Sequence, residues 1–178
     1  NKLFKNIGNF KDFGDCFITP FFTKEYCDNL IMLSEEYGFE IDDNGNYDLL
    51  MHHIKDGGNI CKSWLSSMKK YIEPKVFEVY TPSIQNRLWG SYPVPFCKKF
   101  SMEGQSDLRL HNDNSLLTIF VKLNNECEGC HTVFPRQNWD NSDMKVGELG
   151  VWPGSITHPH YTTKLFSGVK YSLVGRST

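Results

Sequence analysis

The first third of the chain carries apolar residues at helical spacing. Thr23 can cap a helix because its hydroxyl can accept a hydrogen bond from the first turn, and Gly38 is typical of a C-terminal cap. The pattern between these two residues predicts an amphipathic helix. Its apolar stripe consists of Tyr26, Leu30, Leu33 and Tyr37.

A second helix is predicted to begin near Asn59. Its apolar residues again recur every three or four positions, and Pro74 is predicted to end it because proline cannot donate a backbone hydrogen bond inside a helix. The turn-forming residues 42–46 separate the two helices. The apolar stripe of the second helix consists of Ile60, Trp64, Met68 and Tyr71.

From about Arg87 onward, short apolar runs alternate with glycine, proline and asparagine, a pattern typical of strands joined by turns. Helices followed by many short strands predict an α+β chain whose second half is a β-sandwich or barrel. We predict one domain over 1–178, with mainly helical support over 1–86 and a β core carrying the candidate chemistry over 87–178. The predicted strands cover 115–123, 132–134, 147–152 and 169–174.

Composition narrows the classes of function. The 178 residues suffice for one sizeable core, and 39% hydrophobic with 22% charged residues is ordinary for a globular chain. A formal net charge of -2 without a long basic run argues against non-specific nucleic-acid binding, and no apolar stretch is long enough to cross a bilayer. The six scattered cysteines do not require a disulfide framework, so the redox compartment stays open.

Candidate chemistry begins at His111 and Asp113. Residues i and i+2 of a strand face the same side, so both side chains can point at one ion. A third ligand from a distant strand would complete two histidines and one carboxylate, the arrangement of non-haem iron(II) oxygenases, which leaves coordination positions open. Alone, a His-x-Asp tripeptide is weak evidence, because most such tripeptides are surface or turn residues.

A second group lies near the C-terminus. Residues 153–160 place His158 and His160 after a Pro-Gly turn. Lys170 follows ten positions beyond His160, and Ser172 shares its strand face, so a cation and a hydroxyl can together hold a carboxylate. A solvated strand lysine is the simpler interpretation of Lys170 alone, but the order of these elements is harder to obtain by chance.

These residues resemble the 2-oxoglutarate- and iron(II)-dependent oxygenase superfamily, and most closely the catalytic domain of procollagen lysyl hydroxylases. Residues 105–115 and 153–160 are similar to the runs that carry the iron ligands in that family. In that pattern the second histidine of His-x-His is the ligand, which selects His160 over His158. Residues 18–38 resemble the helical start of the same domain, so the resemblance covers most of the chain.

One motif is closer to prolyl 4-hydroxylases. Residues 128–135 resemble a segment whose threonine contacts the co-substrate, which makes Thr132 a candidate. Lys170 stands where lysyl hydroxylases carry arginine and where prolyl 4-hydroxylases carry lysine. Cys130 and His131 also depart from the family turn. Since either cation can bind a carboxylate, these departures loosen the substrate assignment and leave the co-substrate unchanged.

The resemblance implies a double-stranded β-helix, or jelly-roll, core with N-terminal supporting helices. It implies an enzyme that uses Fe(II), 2-oxoglutarate and O2, with ascorbate as an accessory reductant. The implied reaction is hydroxylation of a peptidyl side chain, lysine first and proline second, in a peptide or protein substrate. The implied iron ligands are His111, Asp113 and His160. The implied co-substrate residues are Lys170, Ser172 and Thr132.

Other functions stay open. A nucleic-acid or small-molecule oxygenase of the same superfamily would share the iron site, although a nucleic-acid enzyme would need a basic groove and a base-stacking lid. Metal-dependent cupin isomerases share the barrel but use more histidines and lack a lysine ten residues after the last ligand. A jelly-roll binding module or pseudoenzyme is the non-enzyme alternative. A homo-oligomer is compatible with the sequence, and the compartment is the endoplasmic reticulum lumen for a true lysyl hydroxylase and the cytoplasm otherwise.

Several conspicuous residues are assigned structural roles. His158 is predicted to support its neighbours, and Arg176 to be exposed near the chain end. Cys127 and Cys130 are predicted to be hairpin cysteines, able to form a reversible disulfide, because no second pair exists for a structural zinc site. Arginines that can reach a peptide substrate are Arg87, Arg109 and Arg136.

Overall fold

The structure is a computed structural model and describes residues 4, 7–13, 15–43, 45–80 and 94–177. The predicted boundary between residues 86 and 87, and Arg87 itself, lie outside the described residues. Within the described ranges no helix is long and apolar enough to cross a membrane.

Short antiparallel strands make up most of the regular structure in the described ranges. They pair in three sheets of seven, four and two strands. The strands are β1 (Lys11–Phe13), β2 (Cys16–Pro20), β3 (Tyr47–Leu50), β4 (Phe96–Phe100), β5 (Leu108–His111), β6 (Leu117–Lys122), β7 (Cys127–Gly129), β8 (Thr132–Phe134), β9 (Trp139–Asp140), β10 (Glu148–Pro153), β11 (His160–Thr162), β12 (Leu165–Gly168) and β13 (Lys170–Ser177).

Two sheets form the body of the molecule. The larger has seven strands in the order β1-β2-β10-β6-β13-β4-β3, and the smaller has four in the order β5-β11-β8-β9. Strands β7 and β12 form a separate two-stranded ribbon. Side chains of both larger sheets pack together, since Phe134 of β8 shares a buried cluster with Phe120 of β6 and Trp152 of β10. Two antiparallel sheets enclosing a core agree with the predicted jelly-roll.

The N-terminal half contributes more strand than predicted. Strands β1, β2 and β3 all belong to the seven-stranded sheet, in which β2 lies second from one edge, between β1 and β10. Residues 16–19 are all buried, so β2 lacks the alternation that identifies a half-exposed strand. The prediction that 1–86 is mainly helical support therefore missed three strands of the main sheet.

Helix α1 spans Lys24–Tyr37, between the two caps predicted for it. The backbone N–H of Tyr26 donates to Thr23 Oγ1 at 3.3 Å, and the N–H of Gly38 donates to the carbonyl of Ser34 at 3.0 Å. These bonds satisfy backbone groups that a helix leaves unpaired at its ends.

The second helical segment continues past its predicted end. Helix α2 spans Gly57–Ser67, a π-helical turn follows at Met68–Ile72, and α3 spans Glu73–Val79. Pro74 lies in the first turn of α3, where a missing N–H costs nothing, so it begins a helix and does not end one. The prediction for Pro74 was wrong because the wider π turn allows the chain to pass directly from α2 into α3.

Alternation along β6 and β13 separates two interiors. On the helix-facing side, Val121 and Leu173 join a buried cluster that includes Leu30 of α1 and Trp64 of α2. On the opposite side, Phe120 and Val174 pack between the two sheets. Successive residues of a strand point to opposite faces, so the sheet that buries the helices also presents a second face to a space between the sheets.

We expect Gly147→Ala to destabilise the fold by about 1–3 kcal/mol. Gly147 has φ +83°, and an added Cβ would lie 2.1 Å from the carbonyl oxygen of Phe22. Its own carbonyl accepts the N–H groups of Phe21 and Phe22, so the clash falls where β2 joins β10. The free energy of unfolding in urea measures the loss.

Gly58→Ala is the matched control. Gly58 lies in α2, and an added Cβ would meet nothing within 4 Å. This change should raise stability by about 0.4–1 kcal/mol, because alanine restricts the unfolded chain. Equal effects of the two substitutions would contradict the assigned role of Gly147.

Candidate metal centre and co-substrate cavity

The three predicted ligands come together where β5 and β11 pair. His160, the first residue of β11, is the register partner of His111, the last residue of β5, and Asp113 follows two residues later. The ligand atoms of these three side chains all lie within 4.8 Å of one another. Two imidazoles and one carboxylate therefore converge on one point.

Asp113 reaches this point by a route that differs from the prediction. Strand β5 ends at His111, so a shared strand face does not orient Asp113. Its backbone N–H donates to the carbonyl of Gly154 at 3.0 Å, and Thr118 Oγ1 donates to Oδ2 of its carboxylate at 2.6 Å. The predicted cause was wrong, because Asp113 is oriented by hydrogen bonds to its backbone and side chain and not by the alternation of residues along a strand.

Both histidines are oriented by backbone carbonyls. Nδ1 of His111 lies 2.8 Å from the carbonyl of Arg109, and Nδ1 of His160 lies 2.9 Å from the carbonyl of His158. Since a carbonyl only accepts, each Nδ1 carries the proton of a neutral ring and each Nε2 keeps a lone pair.

The lone pairs face a negative group. The two Nε2 atoms lie 3.6 and 3.5 Å from the carboxylate oxygens of Asp113. Two lone pairs and a carboxylate repel one another unless a cation lies between them. The donor set therefore fits a divalent transition metal, and the carbonyls supply the outer hydrogen bonds typical of ligand histidines.

Neighbouring groups shift the pKa values of the three side chains. Contact with Asp113 raises the pKa of His111, so that a metal ion would compete with a proton there, while burial lowers the pKa of His160 and favours its neutral form. Burial by itself would raise the pKa of Asp113, but the contacts with His111, His160, Thr118 and Arg176 outweigh it and hold that pKa below its usual range. Asp113 is therefore ionised at neutral pH.

Arg176 is a site residue that the sequence reasoning missed. Its Nη2 donates to Oδ1 of Asp113 at 3.3 Å, and its guanidinium lies 5.4 Å from the ring of Phe96. The side chain is 45% exposed, which confirms the prediction of an exposed arginine, but its contact with Asp113 was not predicted. Strand alternation could have found it, because Arg176 lies on the same face of β13 as Lys170 and Ser172.

A cavity of about 240 Å³ lies between the two sheets and contains the ligand group. Its wall mixes aromatic rings with charged and hydroxyl groups, which is typical of small-molecule sites. The lining residues are Asn46, Asp48, Phe96, Lys98, Phe100, Leu108, His111, Asp113, Thr118, Phe120, Thr132, Trp152, His160, Thr162, Lys170, Ser172, Val174 and Arg176.

Lys170 is a buried cation in this cavity. The residue is 5% exposed, and its Nζ donates to the carbonyl of Cys130 and lies 5.4 and 5.6 Å from the rings of Phe100 and Phe120. Burial lowers its pKa, and none of the ion pairs among the described residues involves it. A buried ammonium without a counter-ion fits a ligand carboxylate.

The hydroxyls of Thr132 and Ser172 share the cavity with Lys170. Thr132 is the first residue of β8, and Ser172 lies two positions after Lys170 on β13. Both residues are buried and line the cavity. The structure thus brings the three predicted co-substrate residues to one cavity, and their contact with a carboxylate of 2-oxoglutarate stays a prediction.

His158 lies outside the ligand group. It is fully buried, with Nε2 3.0 Å from Oδ1 of Asp15 and Nδ1 2.9 Å from Thr157 Oγ1. Both ring nitrogens therefore have protein partners, as expected for a structural histidine. Cys16 lies beside this pair, but burial raises the pKa of its thiol to about 12, so it stays protonated.

The cysteine pair near the ribbon carries free thiols in the structure. Burial raises the pKa of Cys127, and that of Cys130 to about 11. Among the described residues, neither thiol belongs to a group that could hold a metal ion. The prediction that the two cysteines lie in one hairpin was wrong, because β7, which begins at Cys127, pairs with β12, whereas β8, which follows Cys130, pairs with β11 and β9.

Comparisons with known proteins found similar sequences and similar structures that cover about nine-tenths of this chain. No protein-family model matches it. It is 28% identical over 173 residues to procollagen-lysine,2-oxoglutarate 5-dioxygenase 2 of Mus musculus, which covers 90% of this chain and 23% of that protein. The chain thus spans less than a quarter of the length of that relative.

Solved structures share the fold. A viral collagen prolyl hydroxylase from Paramecium bursaria Chlorella virus-1, in complex with 2OG, superposes with a TM-score of 0.66 at 15% identity, covering 92% of this chain and 96% of that one. A prolyl hydroxylase from Trichoplax adhaerens, in complex with a hypoxia inducible factor peptide, gives 0.63 at 13% identity, with coverage of 92% and 83%. The chain therefore has the fold of these hydroxylases.

We expect Thr118→Val to weaken metal binding about 10- to 100-fold, because loss of a hydrogen bond to a ligand carboxylate typically costs that much. The hydroxyl of Thr118 is the donor that holds Oδ2 of Asp113. Calorimetric titration with Mn(II) measures the affinity for the metal without turnover.

Thr19→Val serves as its control. Thr19 is also a buried strand threonine, but its hydroxyl donates to the neighbouring backbone carbonyl of Pro20 and not to a ligand side chain. Unchanged affinity in Thr118→Val, or an equal loss in both variants, would contradict a role in orienting Asp113.

Proposed function

We propose that this chain, with its oxygenase fold and its sequence similarity to lysyl hydroxylases, is a 2-oxoglutarate-dependent hydroxylase of a peptidyl side chain. The observation that supports this most strongly is one cavity containing both kinds of group that such a reaction needs. It holds a two-histidine, one-carboxylate set and, apart from it, a buried lysine that forms no ion pair with any residue that the structure describes.

The proposed roles follow from the contacts. His111, Asp113 and His160 would hold Fe(II), and Lys170 would hold the distal carboxylate of 2-oxoglutarate. When bound, these groups and O2 would supply oxidative decarboxylation coupled to hydroxylation of a C–H bond. Co-substrate contacts would also come from Thr132 and Ser172.

The remaining residues would shield and orient the ligands. The ring of Phe134 stacks on His160 with centroids 5.1 Å apart, and Trp152 packs edge-on at 5.6 Å. These apolar rings exclude water from one side of His160 and fix its plane. Thr118 and Arg176 would keep the Asp113 carboxylate in one orientation through its two oxygens.

Lysine is the first proposed target residue and proline the second. The sequence similarity is to lysyl hydroxylases, whereas Lys170 and the fold neighbours favour the prolyl enzymes. The match covers only 23% of the lysyl hydroxylase, so the substrate of that longer protein is not transferred to this chain and is proposed here for the chain itself. We also propose that residues 1–178 form a single oxygenase domain.

We expect His111→Ala and Asp113→Ala to abolish peptide-dependent formation of succinate, since each removes a ligand at the centre of the site. The measurement is succinate and hydroxylated peptide by mass spectrometry, with folding checked by thermal melting. His158→Gln is the control, because that histidine lies outside the ligand group. Turnover at the wild-type level in either ligand variant would refute the assignment.

We expect Lys170→Ala to raise the concentration of 2-oxoglutarate needed for half-maximal turnover by about 10- to 100-fold, as loss of a hydrogen bond to a charged group costs about 1.5–3 kcal/mol. Metal affinity, measured separately with Mn(II), should change little because Lys170 is not a ligand. An unchanged 2-oxoglutarate requirement would show that the cation has another role.

A further inference from the structure

The cavity wall already holds an ammonium group, that of Lys98. Its Nζ lies 2.8 Å from Oδ1 of Asp48, 3.5 Å from Oδ1 of Asn46 and 5.3 Å from the centre of the Phe100 ring. A carboxylate, an amide oxygen and an aromatic face all attract a primary ammonium. Asn46, Asp48 and Phe100 are here called the ammonium corner.

The ammonium corner is held in place by contacts other than those with Lys98. Nδ2 of Asn46 donates to the Asp42 carboxylate at 3.0 and 3.2 Å, which turns Oδ1 of the amide towards Lys98. Asp48 lies in β3 and Phe100 in β4, two strands that are paired over four residues. The acceptors would therefore stay in place if another ammonium replaced that of Lys98.

The ammonium corner and the metal ligands line the same cavity. Along β4, Lys98 and Phe100 face this cavity, whereas Lys99 faces the helix side and pairs with Glu35 at 2.8 Å. The Asp48 side chain is 40% exposed and that of Lys98 is 12% exposed. A ligand that enters the cavity from solvent can thus reach the carboxylate of Asp48 directly.

We propose that the ammonium corner binds the side-chain ammonium of a lysyl substrate, which replaces Lys98 at Asp48 and Asn46. The inference rests on the proposed function and names its substrate class. Lys98 keeps the acceptors paired when no substrate is bound, so that they are not left without a donor. A prolyl side chain has no charge and would gain nothing from this carboxylate, so the ammonium corner selects lysine.

A purely structural role makes a different prediction. Asp48 and Lys98 are direct register partners on β3 and β4, and an opposite-charge pair across two strands can stabilise the sheet. If that were all, removing either partner would have the same modest effect on every peptide. If Lys98 competes with the substrate, removing Asp48 must weaken binding and removing Lys98 must strengthen it.

The experiment measures peptide binding without turnover. Three fluorescent peptides differ only at the central residue, which is lysine, norleucine or proline, and norleucine is lysine without its ammonium. They are titrated by anisotropy into protein loaded with Mn(II) and 2-oxoglutarate. The variants are Asp48→Asn, Lys98→Met and the control Lys99→Met, which removes a lysine from the other face of the same strand.

Asp48→Asn should weaken binding of the lysyl peptide about two- to fivefold, because the Asp48 carboxylate is 40% exposed and an exposed ion pair is weak. Lys98→Met should tighten it about two- to fivefold, since the competing ion pair is partly exposed and weak. Neither variant should change binding of the norleucyl or prolyl peptide, and Lys99→Met should change none of them. Thermal melting of each variant excludes misfolding as the cause.

Two outcomes would overturn the inference and leave the proposed function standing. The first is an equal loss of affinity for all three peptides in Asp48→Asn and in Lys98→Met. The second is that the wild-type protein binds the prolyl peptide more tightly than the lysyl peptide and hydroxylates the prolyl peptide. If the Fe(II)-loaded protein turned over no peptide of either kind, the proposed function itself would fail. Opposite shifts of the two variants, seen only with the lysyl peptide, would establish the ammonium corner.

Discussion

Strand β13 is the constraint on which the rest of the structure depends. It pairs with β6 on one side and β4 on the other, and its alternating side chains divide between two interiors. Tyr171 and Leu173 pack towards the helices, while Lys170, Ser172, Val174 and Arg176 line the cavity. The apolar face cannot slip by one residue without burying charges among the helices, so the register that builds the core also fixes the positions of the two cations.

The charged groups of the cavity differ in sign between its two ends. The Asp113 carboxylate has donors at both oxygens and lone pairs of two imidazoles facing it, which calls for a cation. Within the described part of the chain, Lys170 donates to the carbonyl of Cys130 and pairs with no carboxylate, so its ammonium suits an anion. A metal and a dicarboxylate would satisfy both needs together, because each supplies the charge that one end of the cavity lacks.

The residues of the candidate site could be predicted from the sequence, but their arrangement in space could not. The strand over 132–134, the caps at Thr23 and Gly38 and the ligand residues were all readable from local patterns. Strand β2 was not, because a strand buried on both faces has no alternating pattern. Pro74 was misjudged because a π turn is invisible to a rule based on 3.6-residue spacing. Arg176 was not assigned to the site because it was judged by its position near the chain end and not by the face of β13 on which it lies.

The sequence alone determined the kinds of chemical group available. It supplied two histidines and a carboxylate at suggestive spacings, and a lysine and a hydroxyl two positions apart. Only the tertiary structure decided that these groups meet, because the pairing of β5 with β11 joins residues 49 positions apart in the chain. It also decided which nitrogen of each histidine is free, since the carbonyls that fix the rings are set by local backbone geometry. The pairing of Asp48 with Lys98 likewise arises from sheet register, which residue order does not specify.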